Sequence, residues 1–225
     1  MKEHPAALPF EAVHCFVPGE LKITGPDVNQ AALTKYVTTA FERAEKCGVK
    51  TIVFGSGGAR QIPDGFDRTK AHHQLVWFCK MLAPIAHKHG VTVVVEPLNR
   101  AECNVLNSVG ECASLVRQTD NPGLRLLVDA YHLLRDKDMV DDVLKNGDVF
   151  AHVHIATEAK RLAPNSEPCD FAPFFDALVK GGYDGRVSIE AKLPDTVEAL
   201  AASLALMKSL AADAQSKCGC KKCCK

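Results

Sequence analysis

The run VTVVVE at 91–96 is β-branched at every position before its terminal acid. A strand exposed on one face would alternate apolar and polar residues. A continuous run of this kind belongs to a strand covered on both faces, as in a parallel sheet flanked by helices. Five further apolar runs share its character: EAVHCFVP (11–18), TIVFG (51–55), LRLLVD (124–129), VFAHVHIA (149–156) and RVSIEA (186–191). Between them lie segments of helical periodicity. One is N-capped by Asp27, carries Val28, Leu33, Val37, Phe41 and Ala44, and stops at Gly48. A second runs from Asp67 to His89, with Pro84 as a kink point and Gly90 as its stop. Ser108 and Glu111 have capping-box spacing for a helix to Arg117. A short helix is expected near 137–145. Another carries Phe171, Phe174, Phe175 and Leu178 and ends at Gly181-Gly182. The last starts at Asp195 or Thr196 and ends near Ala214.

Six strand–helix alternations predict an α/β fold with a parallel sheet. No GxGxxG or GxxxxGK[ST] follows any strand, and GSGGAR (55–60) matches neither spacing. Dinucleotide-binding and P-loop folds are therefore set aside in favour of a (β/α)8 TIM barrel. Strand starts fall about 35 residues apart, so eight units need about 280 residues, and the chain has 225. The expected barrel is incomplete, with about six parallel strands and outer helices. It lacks the first two βα units and occupies residues 1–214. Open edges are then expected at the strands 11–17 and 186–190. They would leave either a water-exposed site of low activity or a gap filled by another copy in a homo-oligomer.

Lys and Arg together number 27, as do Asp and Glu, so the formal net charge is zero. That removes the electrostatic case for nucleic acid or an anionic membrane as partner. No apolar run is long enough to span a bilayer. MKEHPAALPF lacks an apolar signal core, so a cytoplasmic location is expected. Cys15, Cys47, Cys79, Cys103, Cys112 and Cys169 are then read as reduced thiols. Cys218, Cys220, Cys223 and Cys224 crowd a Cys/Lys-rich tail at 215–225. The tail is read as a basic extension whose removal leaves activity unchanged. The alternative is soft-metal capture by clustered thiolates.

The chemistry lies at four strand ends. Glu96 ends VTVVV, Asp129 ends LRLLV, His154 sits near the end of VFAHVH, and Glu190 ends RVSI. In a parallel barrel the C-terminal strand ends converge on one mouth, where active sites form. A single acid after a strand is often a helix N-cap. Four acids or imidazoles in matching places point to one cluster. Burying three carboxylates together is costly without a cation. Three oxygens and one imidazole suit Mn2+, Mg2+ or Co2+. His152 has the same facing as His154 and is expected as a core histidine one layer deeper.

EPLNRAE (96–102), VDAYH (128–132), HVHIA (152–156) and SIEA (188–191) together resemble the xylose-isomerase-like TIM barrels. Within that sugar phosphate isomerase/epimerase group they are most similar to ketose 3-epimerases of the D-tagatose 3-epimerase type. The resemblance spans about residues 11–192. It implies metal ligation by Glu96, Asp129, His154 and Glu190, with Mn2+ the first expectation. It further implies that Glu96 and Glu190 are the catalytic acid–base pair, and that Glu102, His132 and Arg161 bind substrate. Lys160 shifts the Arg161 match by one position. Thr157 stands where many relatives carry an acid. The implied reaction removes a proton beside a ketone and returns it to the other face through an ene-diolate. Moving the proton between C1 and C2 instead would give aldose–ketose isomerisation. Competing expectations are a dehydratase or an endonuclease IV-like phosphodiesterase on the same fold, or a shortened barrel that only binds metal or sugar.

Overall fold

The computed structural model describes residues 10–138 and 140–218. The chain divides into two compact units. One comprises residues up to 95 with 115–125, the other residues 96–114 with 126 onward.

In the first unit β1 (Ala12–Val13), β2 (Thr51–Phe54) and β3 (Thr92–Val95) are parallel. Val13 lies opposite Ile52, and Phe54 opposite Val95. β1 is much shorter than the run 11–18 suggested. Cys15 adopts φ 57°, a left-handed conformation that takes the chain out of the extended path. Past that bend Phe16 and Val17 are buried, and the Val17 N–H donates to Ser56 Oγ. Helix α1 (Gln30–Cys47) is capped by Asn29, not Asp27. Asn29 Oδ1 accepts from Ala32 N, three residues on, which is the reach a cap requires. Gly48 closes the helix at φ 75°. A four-residue turn of helix, α2 (Gly57–Arg60), forms where the sequence showed glycine-rich loop. Helix α3 (Arg68–Lys88) starts where expected, is N-capped there by Asp67, and runs on through Pro84. Gly123 lies so close to α3 that an added Cβ would meet Ala83 O at 2.0 Å, so only glycine fits there. Leu33, Phe41, Phe54, Phe78 and Leu82 are fully buried in this unit.

In the second unit β4 (Leu124–Asp129, from Leu126 onward), β5 (Phe150–Ile155) and β6 (Val187–Ile189) are parallel. Asp129 pairs with His154, and His154 with Ser188, so the polar ends of neighbouring strands share one level. Helix α4 (Val109–Thr119) begins in this unit. The Ser108 half of the expected capping box forms, with Ser108 Oγ accepting from Glu111 N. The Glu111 carboxylate instead accepts from Leu106 N and Asn107 N. Two helices follow β4: α5 (Ala130–Arg135), which the sequence did not suggest, and α6 (Val140–Lys145), the short helix expected near 137–145. Asp129 starts the first of them, because its side chain accepts from Tyr131 N. Helix α7 spans Ala172–Lys180, and α8 spans Val197–Cys218. The last helix outruns Ala214, and Lys217 Nζ reaches the Asp176 carboxylate of α7 at 3.2 Å. Cys220, Cys223 and Cys224 of the tail lie outside the described residues. Six parallel strands with intervening helices make an incomplete barrel of the TIM type.

Candidate metal centre

All seven residues singled out from the sequence fall in the second unit and converge. Glu96 follows β3 directly and is its unit's first residue. Asp129 ends β4, His154 is the penultimate residue of β5, and Glu190 follows β6. Each offers one ligand atom, and the four atoms lie within 4.8 Å of one another. Glu96, Asp129 and His154 are buried, while the Glu190 side chain is about a quarter exposed, at 24%.

His154 holds the carboxylates together. Its Nδ1 is 3.3 Å from Glu96 Oε1 and 3.2 Å from Glu190 Oε2. Burial opposes a charge on this ring, but the hydrogen bonds to Glu190 and Glu96 outweigh it and push the pKa up to about 10. Burial would raise Glu190, yet His154 and then Arg161 hold it down at about 2. Asp129 moves the other way, to about 7, first through burial and then through the neighbouring Glu96 charge. Its two oxygens divide their work. Oδ1 caps α5, and Oδ2 is buried with no hydrogen-bond partner among the described residues. The acid is thus both the helix cap and the cluster member that sequence reasoning weighed as alternatives.

This donor set fits a hard divalent cation. It offers three carboxylates and an imidazole at one level, including a carboxylate oxygen whose burial is otherwise uncompensated by a hydrogen bond.

Arg161 lies beside the cluster. Its Nη2 is 2.7 Å from Glu190 Oε2 and 3.7 Å from Asp129 Oδ2, and its Nη1 is 3.8 Å from Glu102 Oε1. The guanidinium lies 4.6 Å from the centre of the Tyr131 ring. Lys160 instead lends its backbone N–H to Glu167 Oε1. His132 Nε2 stands 3.7 Å from Asp129 Oδ2. His152 is buried as a core histidine should be, with Nε2 3.0 Å from Ser188 Oγ. Burial, followed by the His154 charge, pushes its pKa down to about 4.

Three contributors escaped the sequence reading. Asn99 is fully buried and contacts both Glu102 and His132. It stands inside EPLNRAE, so the motif contained the signal. Tyr131, the platform for Arg161, stands likewise inside VDAYH. Glu167 carried no signal. Its carboxylate accepts from the Thr157 hydroxyl, so an acid reaches the Thr157 position from ten residues along the chain.

A family-wide sequence profile described as xylose isomerase-like TIM barrel matches residues 2–210. The chain belongs to that family. Among curated proteins it is 29% identical over 133 residues to the 3-dehydro-D-guloside 4-epimerase of Escherichia coli (strain K12). That match covers 58% of this chain and 50% of the relative. It is 34% identical over 102 residues to the ketose 3-epimerase of Arthrobacter globiformis, covering 45% and 35% of the two chains. These matches span half or less of the relatives' length. Among solved structures, the D-psicose 3-epimerase with D-tagatose from Clostridium cellulolyticum H10 superposes with a TM-score of 0.79. It covers 90% of this chain and 78% of that one at 19% identity, a likeness of fold.

Proposed function

We propose that this chain is a divalent-metal-dependent epimerase or isomerase of a ketose or related sugar. The observation that carries the reading is the four-ligand cluster, bordered by Glu102, His132 and Arg161. The relatives named as sugar epimerases support it. Glu96, Asp129, His154 and Glu190 would hold the cation, Mn2+ before Mg2+ or Co2+. Bound there, a cation supplies the positive charge that stabilises a ketone oxygen as the neighbouring carbon loses its proton.

The protein's own groups move that proton. Glu190 is kept ionised by Arg161 and His154, so it is ready to accept one. Glu96 follows a different strand and meets His154 at the same nitrogen, so the two carboxylates flank the imidazole. One takes the proton, and the other, carrying a solvent-derived proton of its own, delivers that to the opposite face of the planar carbon. Glu102 and His132 bind sugar oxygens, and Arg161 orients both Glu102 and Glu190. Among the described residues no helix is long and apolar enough to cross a membrane. A cytoplasmic setting fits the described cysteines, which stand outside disulfides.

The test is a panel of ketoses and aldoses with Mn2+, Mg2+ or Co2+ in deuterated water. Deuterium at C3 is the expected result. Label at C1 or C2 would make the protein an aldose–ketose isomerase. No incorporation with any sugar and metal would reject catalysis.

A further inference from the structure

Asn99 is fully buried and takes part in an unusually directional set of hydrogen bonds. Its Oδ1 accepts from the Ala101 N–H at 3.1 Å, which fixes the orientation of the amide. Nδ2 must therefore point the other way. It lies 2.8 Å from Glu102 Oε1 and 2.8 Å from His132 Nδ1. The Asn99 backbone N–H also donates to His132 Nδ1, at 3.2 Å. A backbone N–H is a donor only, so Nδ1 is the acceptor of this pair and carries no hydrogen.

We propose that Asn99 is a positioning residue that locks His132 in its Nε2–H tautomer and holds Glu102 as the acceptor beside it. The consequence lies on the other side of the ring. Nε2 faces Asp129 Oδ2 at 3.7 Å. With the proton there, His132 presents a donor toward the cluster. A lone pair at Nε2 would instead face a carboxylate oxygen, two acceptors against each other. The lock thus keeps His132 a hydrogen-bond donor for a substrate oxygen. The functional half rests on the reading that His132 and Glu102 contact the sugar. The tautomer itself does not.

The experiment has two arms. In the 15N-labelled full chain, long-range 1H–15N correlation reads the tautomer, with His132→Gln identifying the ring among the nine histidines. The Nε2–H pattern is expected with and without Mg2+. An Nδ1–H pattern in the parent overturns the proposal. Asn99→Asp has nearly the same shape but sets a charged acceptor at the 2.8 Å contact with Nδ1, where it outweighs the longer 3.2 Å contact of the backbone N–H, so His132 should switch to Nδ1–H. Asn99→Ala retains the backbone donor and should keep Nε2–H. In the second arm kcat should fall roughly tenfold or more in Asn99→Asp and less in Asn99→Ala. An unchanged tautomer in Asn99→Asp, or equal kcat in the two variants, overturns the lock. If the parent turns over no sugar, the proposed function fails while the first arm still decides the tautomer.

Discussion

In the first unit the strands end on apolar or small residues: Val13 closes β1, and Phe54 followed by Gly55 closes β2. In the second unit the corresponding places hold Asp129, His154 and, just past β6, Glu190. Burial follows the same division. Arg60 is the charged side chain among the described buried residues of the first unit, and its Nη1 donates to Phe54 O. The second unit buries Glu96, Asp129, His132, His152 and His154. One strand–helix plan therefore serves two ends. The first unit is stabilised by packing, with Phe54 and Phe78 centred 5.4 Å apart and Phe16 stacked 5.5 Å from Phe41. The second spends part of its stability holding like charges together, a strain that a cation relieves.

The sharpest way to break this contrast is to damage the first unit. Phe54→Ala removes a fully buried ring and should cost about 3–5 kcal/mol in urea denaturation. The extra stability conferred by Mn2+ should remain as in the parent, because no ligand lies in that unit. Loss of the Mn2+ increment would show that the division of labour is wrong.

Damage to the second unit should have the opposite profile. Asp129→Asn and Glu190→Gln each remove a carboxylate charge from the cluster. In chelator Asp129→Asn should be about as stable as the parent or more stable, because burial and Glu96 disfavour that charge, whereas Glu190→Gln should be less stable, because it loses the ion pairs with His154 and Arg161. Both should lose most of the Mn2+ increment, which in the parent is about 2.7 kcal/mol at a hundredfold excess over Kd. Titration calorimetry supplies the independent check. Parent-like Mn2+ affinity in both variants would remove these residues from the ligand set.

The same contrast explains what was legible in the sequence. Val91–Val95 and Leu124–Asp129 were readable because strands covered on both faces leave mostly apolar runs, here with Thr92 and Arg125 inside them. The four strand-end residues were readable because a parallel arrangement brings equivalent ends to one level. What escaped was set by geometry off the ladder. The run 11–18 has the composition of a strand, but the left-handed turn at Cys15 is a single-residue backbone event without a composition signal. Asp27 and Asn29 are both good caps, and only the three-dimensional path of the chain selects Asn29. Glu167 reaches Thr157 through a loop whose course no periodicity encodes.

Substrate-side changes should fall between these extremes. Glu102→Gln keeps the shape and removes the charge that faces Arg161 Nη1 at 3.8 Å. Loss of one substrate hydrogen bond should cost about 1–3 kcal/mol in kcat/KM, with Mn2+ affinity nearly unchanged. Equal kcat/KM on the best sugar would take Glu102 out of the binding site.

The smallest effect should come from the thiols, which sharpen the contrast from the surface inward. Cys15 and Cys47 are exposed, and both line one cavity of about 250 Å3 in the first unit. Cys79, Cys103 and Cys112 are buried, and burial pushes the Cys79 thiol up to about 12. Thiolate, not thiol, is the nucleophile, and access is equally required. Brief alkylation of the native protein should therefore label Cys15 and Cys47 and leave those three cysteines unmodified until denaturant is added. Peptide-resolved mass spectrometry reads each site separately. Cys15 and Cys47 lie outside the second unit, so their alkylation should leave the Mn2+ affinity intact and change stability by less than about 0.5 kcal/mol. Native labelling of Cys103, which the second unit buries beside Glu102, would instead show that the 96–103 segment opens readily. The metal centre would then rest on a segment far less rigid than the packed unit before it.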